Sequence, residues 1–448
     1  MLGGKGATTL GPQETSRTER AATALSPENQ SVPARQRRRT LFPFGLRPSG
    51  LLGPRPRTAL PRFLGLVFLS GALAGPVRGL LPVYAESTLH QPPAFSSLLL
   101  SLLLVGGGIF ALVGGALADR LGPKRTLVAG LAWLFPAALL FRLDDPGLLL
   151  AIGLVAGLID GLYVVGGQSY LVGAAPKAHL GLGSALFFLG STLGTSLGSL
   201  VAGWVAERYG FGRYGLALLG AGALLVLLAI VLLPAAARQA SPAGQRAGAA
   251  APLRTYRALL ASRPFLLVAA VRLLPTLYWG AATVLLPLLL YRLSGTVVGA
   301  SLYLTISLSL AGFCQLLTGR LADRLGRGWP VLVLTLLLPL SAAAAALSVG
   351  SYELLFAAGV LTTCVAWSIS VTFPPLVREL TGPTEHGRAL GLLHLIWVIA
   401  MIAGANAGGR LVDLHAALPF ALAAALNLPT ALAGLTLHRQ LRRAQPIA

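Results

Sequence analysis

Residues 117–122 read Leu117-Ala118-Asp119-Arg120-Leu121-Gly122, and residues 321–326 read Leu321-Ala322-Asp323-Arg324-Leu325-Gly326, the same six letters 204 positions later. Outward from these anchors the correspondence continues at offsets of 204 to 206. Gly75-Pro76 and Leu80-Leu81-Pro82 correspond to Gly280-Ala281 and Leu285-Leu286-Pro287, and Gly181, Gly198 and Gly203 to Gly387, Gly404 and Gly409. The chain is therefore an internal duplication. Repeats this long, each holding several apolar spans, mark a membrane protein assembled from two homologous bundles.

Composition agrees. The 448 residues are 55% hydrophobic and only 11% charged, too little polar surface for a water-soluble globule, so lipid is the main solvent. A spanning helix needs about 20 mostly apolar residues. Twelve such segments begin near positions 60, 95, 125, 147, 181, 214, 263, 297, 330, 352, 387 and 415, six in each repeat. The expected fold is an all-α membrane protein of twelve transmembrane helices in two pseudo-symmetric six-helix bundles, residues 58–235 and 263–438.

The formal charge of +21 invites a nucleic-acid partner. Most of the excess lies in tails and alternate loops, however, and not on one face of a domain, so no nucleic acid is expected. Placing the N-terminus in the cytoplasm puts 28 of the 35 basic residues on that side and five in outer loops, Arg142, Arg208, Arg213, Arg292 and Arg410. The positive-inside rule then predicts both termini cytoplasmic, in a plasma (bacterial inner) membrane. Residues 1–57, with the run Arg37-Arg38-Arg39, read as a disordered basic tail. It suits attraction to anionic headgroups, although the excess of Arg over Lys fits translation from a mis-called upstream start better. No cleavable signal peptide is expected in it. Residues 236–262 read as a flexible cytoplasmic linker with an amphipathic helix from Pro252 to Leu260, and residues 439–448 as a second basic tail. Cys314 and Cys364 lie in spans without metal-ligand spacing and are expected as small apolar fillers, with no metal and no cofactor.

The repeated hexapeptide extends to Gly115, Lys124 and Arg125 in the first copy, between spans 2 and 3, and to Gly319 and Arg327 in the second, between spans 8 and 9. This pattern resembles the loop signature of the major facilitator superfamily, and the resemblance covers residues 60 to 440. It implies a secondary transporter that moves a small molecule by alternating access and is complete as a monomer. It also implies a conformational latch formed by Gly115, Asp119, Arg120, Gly122, Lys124, Arg125, Gly319, Asp323, Arg324, Gly326 and Arg327. Asp119 and Asp323 stand at helix C-termini, where the helix dipole disfavours negative charge. Each therefore needs a partner, expected at a helix N-terminus of the opposite bundle, near Gly387 for Asp119 and near Gly181 for Asp323. Gly115 and Gly319 would permit close helix approach. Beyond Arg327 the second copy continues Gly328-Trp329-Pro330 without further basic residues, so its latch is expected to be weaker.

The resemblance further implies that spans 1, 4, 7 and 10 line a central cavity. Each carries a polar or small stripe at helical spacing: Gly71, Gly75, Arg78, Pro82; Asp160, Tyr163, Gly167, Tyr170; Arg272, Thr276, Trp279, Thr283; and Thr363, Trp367, Ser370, Pro374. Single Gly or Thr residues in such stripes equally serve helix packing. Charges carry more information, because one at the bilayer centre costs about 2.5–3.5 kcal/mol on insertion scales. Asp160 is the only acid deep in a span, and a rise of about 1.5 Å per residue puts Arg78 within reach of it, predicting an ion pair. That pair either fixes span 1 on span 4 or frees Asp160 to take up a proton or cation when it breaks. Arg272, nine residues into span 7, either snorkels to the interface or binds an anionic group on the substrate. His394 and Trp397 read as packing residues, and Glu86 as solvated.

Two family motifs depart from pattern. The fourth span has Asp160 where many members carry a basic residue, and the fifth reads Gly194, Gly198, Ser199, Ala202, Gly203, similar to an antiporter signature with serine for its proline and alanine for one glycine. Since no G-x-x-x-x-G-K-[ST] motif occurs, energy would come from a gradient. The expected function is proton-linked efflux of a small organic molecule, with proton symport or facilitated uptake of an anionic or polar solute as the alternative. A lipid-linked transferase would have to use Asp144-Asp145, the only adjacent acids, and a non-transporting receptor would bind without flux.

Overall fold

The computed structural model describes residues 59–175, 180–234, 259–380 and 386–444, leaving aside the side chains of 111–116, 118–119, 180–182, 378, 386–388 and 443–444. The expected tail 1–57 and nearly all of the linker 236–262 lie outside the described residues. What is described is all helix, with no strand: α1 (Ala59–Ser87), α2 (Pro93–Leu121), α3 (Pro123–Leu131), α4 (Leu134–Leu139), α5 (Pro146–Ala174), α6 (Leu180–Tyr209) and α7 (Phe211–Leu232). The second half follows as α8 (Arg263–Ser294), α9 (Val297–Leu325), α10 (Gly328–Leu347), α11 (Tyr352–Ser370), α12 (Phe373–Leu380), α13 (His386–Leu411) and α14 (Leu418–Ala444).

All twelve expected spans begin within three residues of their predicted starts. Eleven stretches are long and apolar enough to cross a bilayer; the twelfth, span 3, is broken into α3 and α4. Pro136 has no N–H to give the Ala132 carbonyl, which accepts from Phe135 at 3.0 Å in a tighter turn, with Trp133 bonded to Gly130 in the same manner. A second proline effect splits span 10. Pro374 and Pro375 deprive Ser370 and Val371 of their acceptor bonds, and the chain turns between α11 and α12.

Capping fixes the other boundaries. Asp145 accepts from Leu148 N at 2.6 Å at the start of α5, and Thr296 from Gly299 N at 3.1 Å at the start of α9. Gly122 and Gly326, repeat mates in the hexapeptide, both adopt positive φ, 89° and 85°. A side chain is strained there, which explains glycine at the end of each motif copy.

Two hydrophobic cores form, one drawn from Leu60 to Leu233 with Val297 and Ala300, the other from Leu259 to Leu441 with Leu100. The helix pairs within them repeat: α1 on α6 and α2 on α5 in the first half, α8 on α13 and α9 on α11 in the second. Gly198 lies against the Ala72 carbonyl and its repeat mate Gly404 against the Leu277 carbonyl, too close for any Cβ. On the outside, α7 presents Leu224, Leu227 and Val231 exposed along one stripe, a face suited to lipid and not to water.

The halves join through α2 with α13 and α6 with α9. Asn406 donates to Ser101 Oγ at 2.7 Å, Ser196 and Ser309 share a hydrogen bond of 2.7 Å, and Thr305 Oγ1 donates to the Ser196 carbonyl at 2.8 Å. Gly409 packs on Ser97 and Gly203 on Ser301, which are repeat mates. These contacts run from mid-bundle toward the end that carries Ser87, Tyr209 and Ser294, called here the distal end; the hexapeptides mark the motif end.

Candidate functional site

The expected ion pair forms. Asp160 comes from the middle of α5, whose start is set by the Asp145 cap, and Arg78 from α1; Arg78 Nη2 donates to Asp160 Oδ2 at 2.6 Å. Exposure divides unequally between them, 11% for the aspartate side chain and 42% for the arginine. Asp160 is thus enclosed while the rest of the guanidinium fork opens on a cavity of about 220 Å³. Tyr163, Gln168, Ser70 and Thr195 supply its other polar groups, and Trp133, Phe187 and Phe188 its aromatic walls. Gly71 and Gly75 also line it, and since a Cβ at either would run into Ser191 or Thr195, glycine lets α1 approach α6 beside the cavity.

Removing one partner of a fully buried pair costs about 3–5 kcal/mol because the other charge is left uncompensated. With Arg78 partly open to solvent, screening lowers that to about 1–3 kcal/mol.

A second cluster surrounds Arg272. Its Cζ lies 4.6 Å from the Phe373 ring centroid and 5.9 Å from that of Trp397, and Nη1 is 3.5 Å from Ser370 Oγ. His394 stacks on Trp397 with centroids 5.5 Å apart. The three salt bridges among the described residues leave Arg272 without a carboxylate. A desolvated cation–π contact is worth about 2 kcal/mol, so the two rings together are of the same order as the about 2.5–3.5 kcal/mol that a midplane charge costs; they disperse the charge and supply no counter-charge.

Several expected cavity residues lie elsewhere. Tyr170 is fully buried in the first core, 4.9 Å from the Phe63 ring, with its hydroxyl on the Pro234 carbonyl. Thr276 and Thr283 return their hydroxyls to the carbonyls of Arg272 and Trp279 one turn back, which removes them as donors to a ligand. Trp279 packs against the second core. Thr363 is buried with the Tyr303 hydroxyl at 3.0 Å. Trp367 holds a buried indole N–H without a partner, and its carbonyl accepts from Gln315. Across the two second-half stripes, Arg272 and Ser370 are joined by a hydrogen bond of 3.5 Å. Gln168, which had not been expected, continues the face of Asp160 and Val164 by one more turn, so a longer stripe would have found it. Trp133 and the His394–Trp397 pair needed the tertiary structure.

At the motif end, Lys124 donates to the Ile230 carbonyl at 2.7 Å, tying α3 to the end of α7. Arg327 pairs with Glu379 at 2.6 Å and reaches the Pro375 carbonyl, so the second copy, expected to latch weakly, anchors the α9–α10 turn to α12. Gly319 faces open space, not a neighbouring helix. Asp323, Arg324, Arg120 and Arg125 are exposed. The surroundings of Gly115, the side chain of Asp119 and the side chains around Gly181 and Gly387, the expected partners, lie outside what is described. At the distal end Glu86, expected to be solvated, instead makes a bidentate pair with Arg292, both bonds 2.6 Å. Glu207 accepts from Val298 N at 2.7 Å at the start of α9. Asp145 is occupied as a helix cap.

Residues 63–306 and 276–446 each match the Major Facilitator Superfamily model, and the chain belongs to that superfamily. It is 28% identical over 215 residues to the putative metabolite transport protein YfiG of Bacillus subtilis, covering 46% of this chain and 44% of that protein. It is 25% identical over 268 residues to the multidrug resistance protein MdtG of Serratia proteamaculans, covering 58% and 64%. The multi-drug resistance efflux pump PmrA of Streptococcus pneumoniae matches at 26% over 147 residues, covering 32% and 37%. The chain thus spans less than two thirds of the length of each of these relatives. Solved structures share the fold: the nucleoside transporter NupG at 18% identity and TM-score 0.62, covering 85% of this chain and 98% of that one. A bacterial homologue of the lysosomal transporter Spinster, inward-facing and unoccupied, aligns at 13% identity and TM-score 0.67, covering 88% and 100%.

Proposed function

We propose that this protein is a secondary transporter, not an enzyme, that exports a small organic molecule in exchange for protons by alternating access. The observation that carries this reading is the enclosed Asp160 carboxylate held by a half-open Arg78 on the wall of an intramembrane cavity. Residues 58–235 and 263–438 rock about this midplane site as two bundles, in one monomer. The charge bias favours both termini on the cytoplasmic side of a bacterial inner membrane, and with that orientation the distal end is the outer face. The distal contacts Glu86–Arg292 and Glu207–Val298 support reading this arrangement as closed toward the outside. The two motif copies latch the opposite face when the bundles rock back. Protons drive the cycle, one charge crossing 100 mV supplying about 2.3 kcal/mol.

Efflux is favoured by the likeness to PmrA, a multi-drug resistance efflux pump. Uptake of an anionic or polar solute, by symport or facilitation, is the second reading, supported by the open donors of Arg78. Proton flux in proteoliposomes, recorded as substrate panels are added to wild type and Asp160→Asn, tests both. A substrate-triggered pH change lost in the variant is the expected result. Solute movement without any pH change would replace coupling by facilitation and return Asp160 to packing.

A further inference from the structure

The charges of the two intramembrane clusters do not cancel. Asp160 is matched one to one by Arg78, whereas Arg272 stands among Phe373, Trp397, His394 and Ser370 with no carboxylate among the described residues. Four elements contribute to that cage: α8 the cation, α11 the hydroxyl, α12 one ring and α13 the stacked pair. Aromatic faces disperse a guanidinium's charge and hold its plane, but they leave its in-plane N–H donors unspent. Ser370 occupies one of them at the limit of hydrogen-bond length, and its own hydroxyl donates to Ala366 at 3.1 Å. A cation so oriented, flanked by flat apolar rings, fits a carboxylate joined to a planar apolar body.

We propose that Arg272, Phe373 and Trp397 form an anion subsite, with Ser370 as a positioning residue that accepts from the guanidinium, and that the transported solute is a monoanionic organic acid with an aromatic or similarly flat body. This rests on the transporter reading for the word transported, but binding itself can be tested without flux. Purified protein in phosphatidylcholine nanodiscs is titrated by calorimetry with naphthalene-2-carboxylate and with its uncharged isostere naphthalene-2-carboxamide. The carboxylate is expected to bind at least about tenfold more tightly to wild type. Arg272→Gln should abolish the preference, and Arg272→Lys should keep the preference with weaker binding because charge survives but the fork does not. Ser370, whose own proton goes to Ala366, acts by accepting from Arg272 and aiming its fork, so Ser370→Ala, which leaves the charge and the rings in place, should weaken the carboxylate alone and covers the case in which Arg272→Gln does not fold.

Equal binding of the two probes by wild type overturns the proposal, as does a preference that persists in a folded Arg272→Gln. So does a carboxylate preference that vanishes when phosphatidylglycerol replaces phosphatidylcholine, because that outcome assigns the guanidinium to lipid headgroups. Failure of the transporter reading looks different: the carboxylate preference and its loss in Arg272→Gln would remain, with no solute crossing the bilayer.

Discussion

Arg78 and Asp160 show how one residue's environment sets its role. The bond of 2.6 Å joins an enclosed carboxylate to a half-open guanidinium, so the aspartate depends on the arginine more than the reverse. Arg78→Gln is therefore expected to destabilise the protein by about 1–3 kcal/mol, because it leaves a buried charge without a partner. Asp160→Asn should cost less. The double variant should fall short of the sum of the single effects by at least about 1 kcal/mol, the mark of residues in direct contact. Thermal unfolding in detergent measures all three, and additive effects would remove the pair from any account of coupling. Sequence alone made Asp160 and Arg78 candidates, since each is a charge in an apolar run. It ranked them above the stripe threonines, but only the structure shows the hydroxyls of Thr276 and Thr283 turning back on their own helix.

At the scale of elements, prolines and glycines decide shape. Pro136 breaks span 3 and thereby turns Trp133 into the cavity wall. The α1–α6 and α8–α13 pairs approach so closely that backbone meets backbone at Gly198 and Gly404. Gly404→Ala should drive its new methyl into the Leu277 carbonyl and cost about 1–3 kcal/mol. Gly220→Ala on α7, with nothing within 4 Å of its would-be Cβ, should be neutral or stabilise by up to about 1 kcal/mol through helix propensity. Melting curves that rank the two variants the other way would refute this packing argument. The glycine repeat was visible as letters at an offset of 204 to 206. Which glycines touch a neighbour, and that Gly319 touches none, depended on the helix crossing.

For the whole molecule, the halves hold together from mid-bundle to the distal end, where Glu86 clasps Arg292 and Glu207 meets the start of α9. A bidentate pair near the surface is worth about 1 kcal/mol, so Glu86→Gln should shift the ratio of distally open to closed molecules by about fivefold. Spin labels on Ser87→Cys and Ser294→Cys report the distance across that end. An unchanged distance distribution in Glu86→Gln would make the pair incidental to gating.

The sequence by itself determined the twelve spans, the duplication and the superfamily, because hydrophobic length and repeat spacing are properties of the chain read in order. It also predicted the Arg78–Asp160 pair from depth along two helices. The Arg272 cage, the Glu86–Arg292 clasp, the Arg327–Glu379 anchor and the burial of Tyr170 were decided only by tertiary structure. Each joins residues from different helices, and rotation about a helix axis, which sets where a side chain points, is fixed by packing against neighbours and not by local sequence.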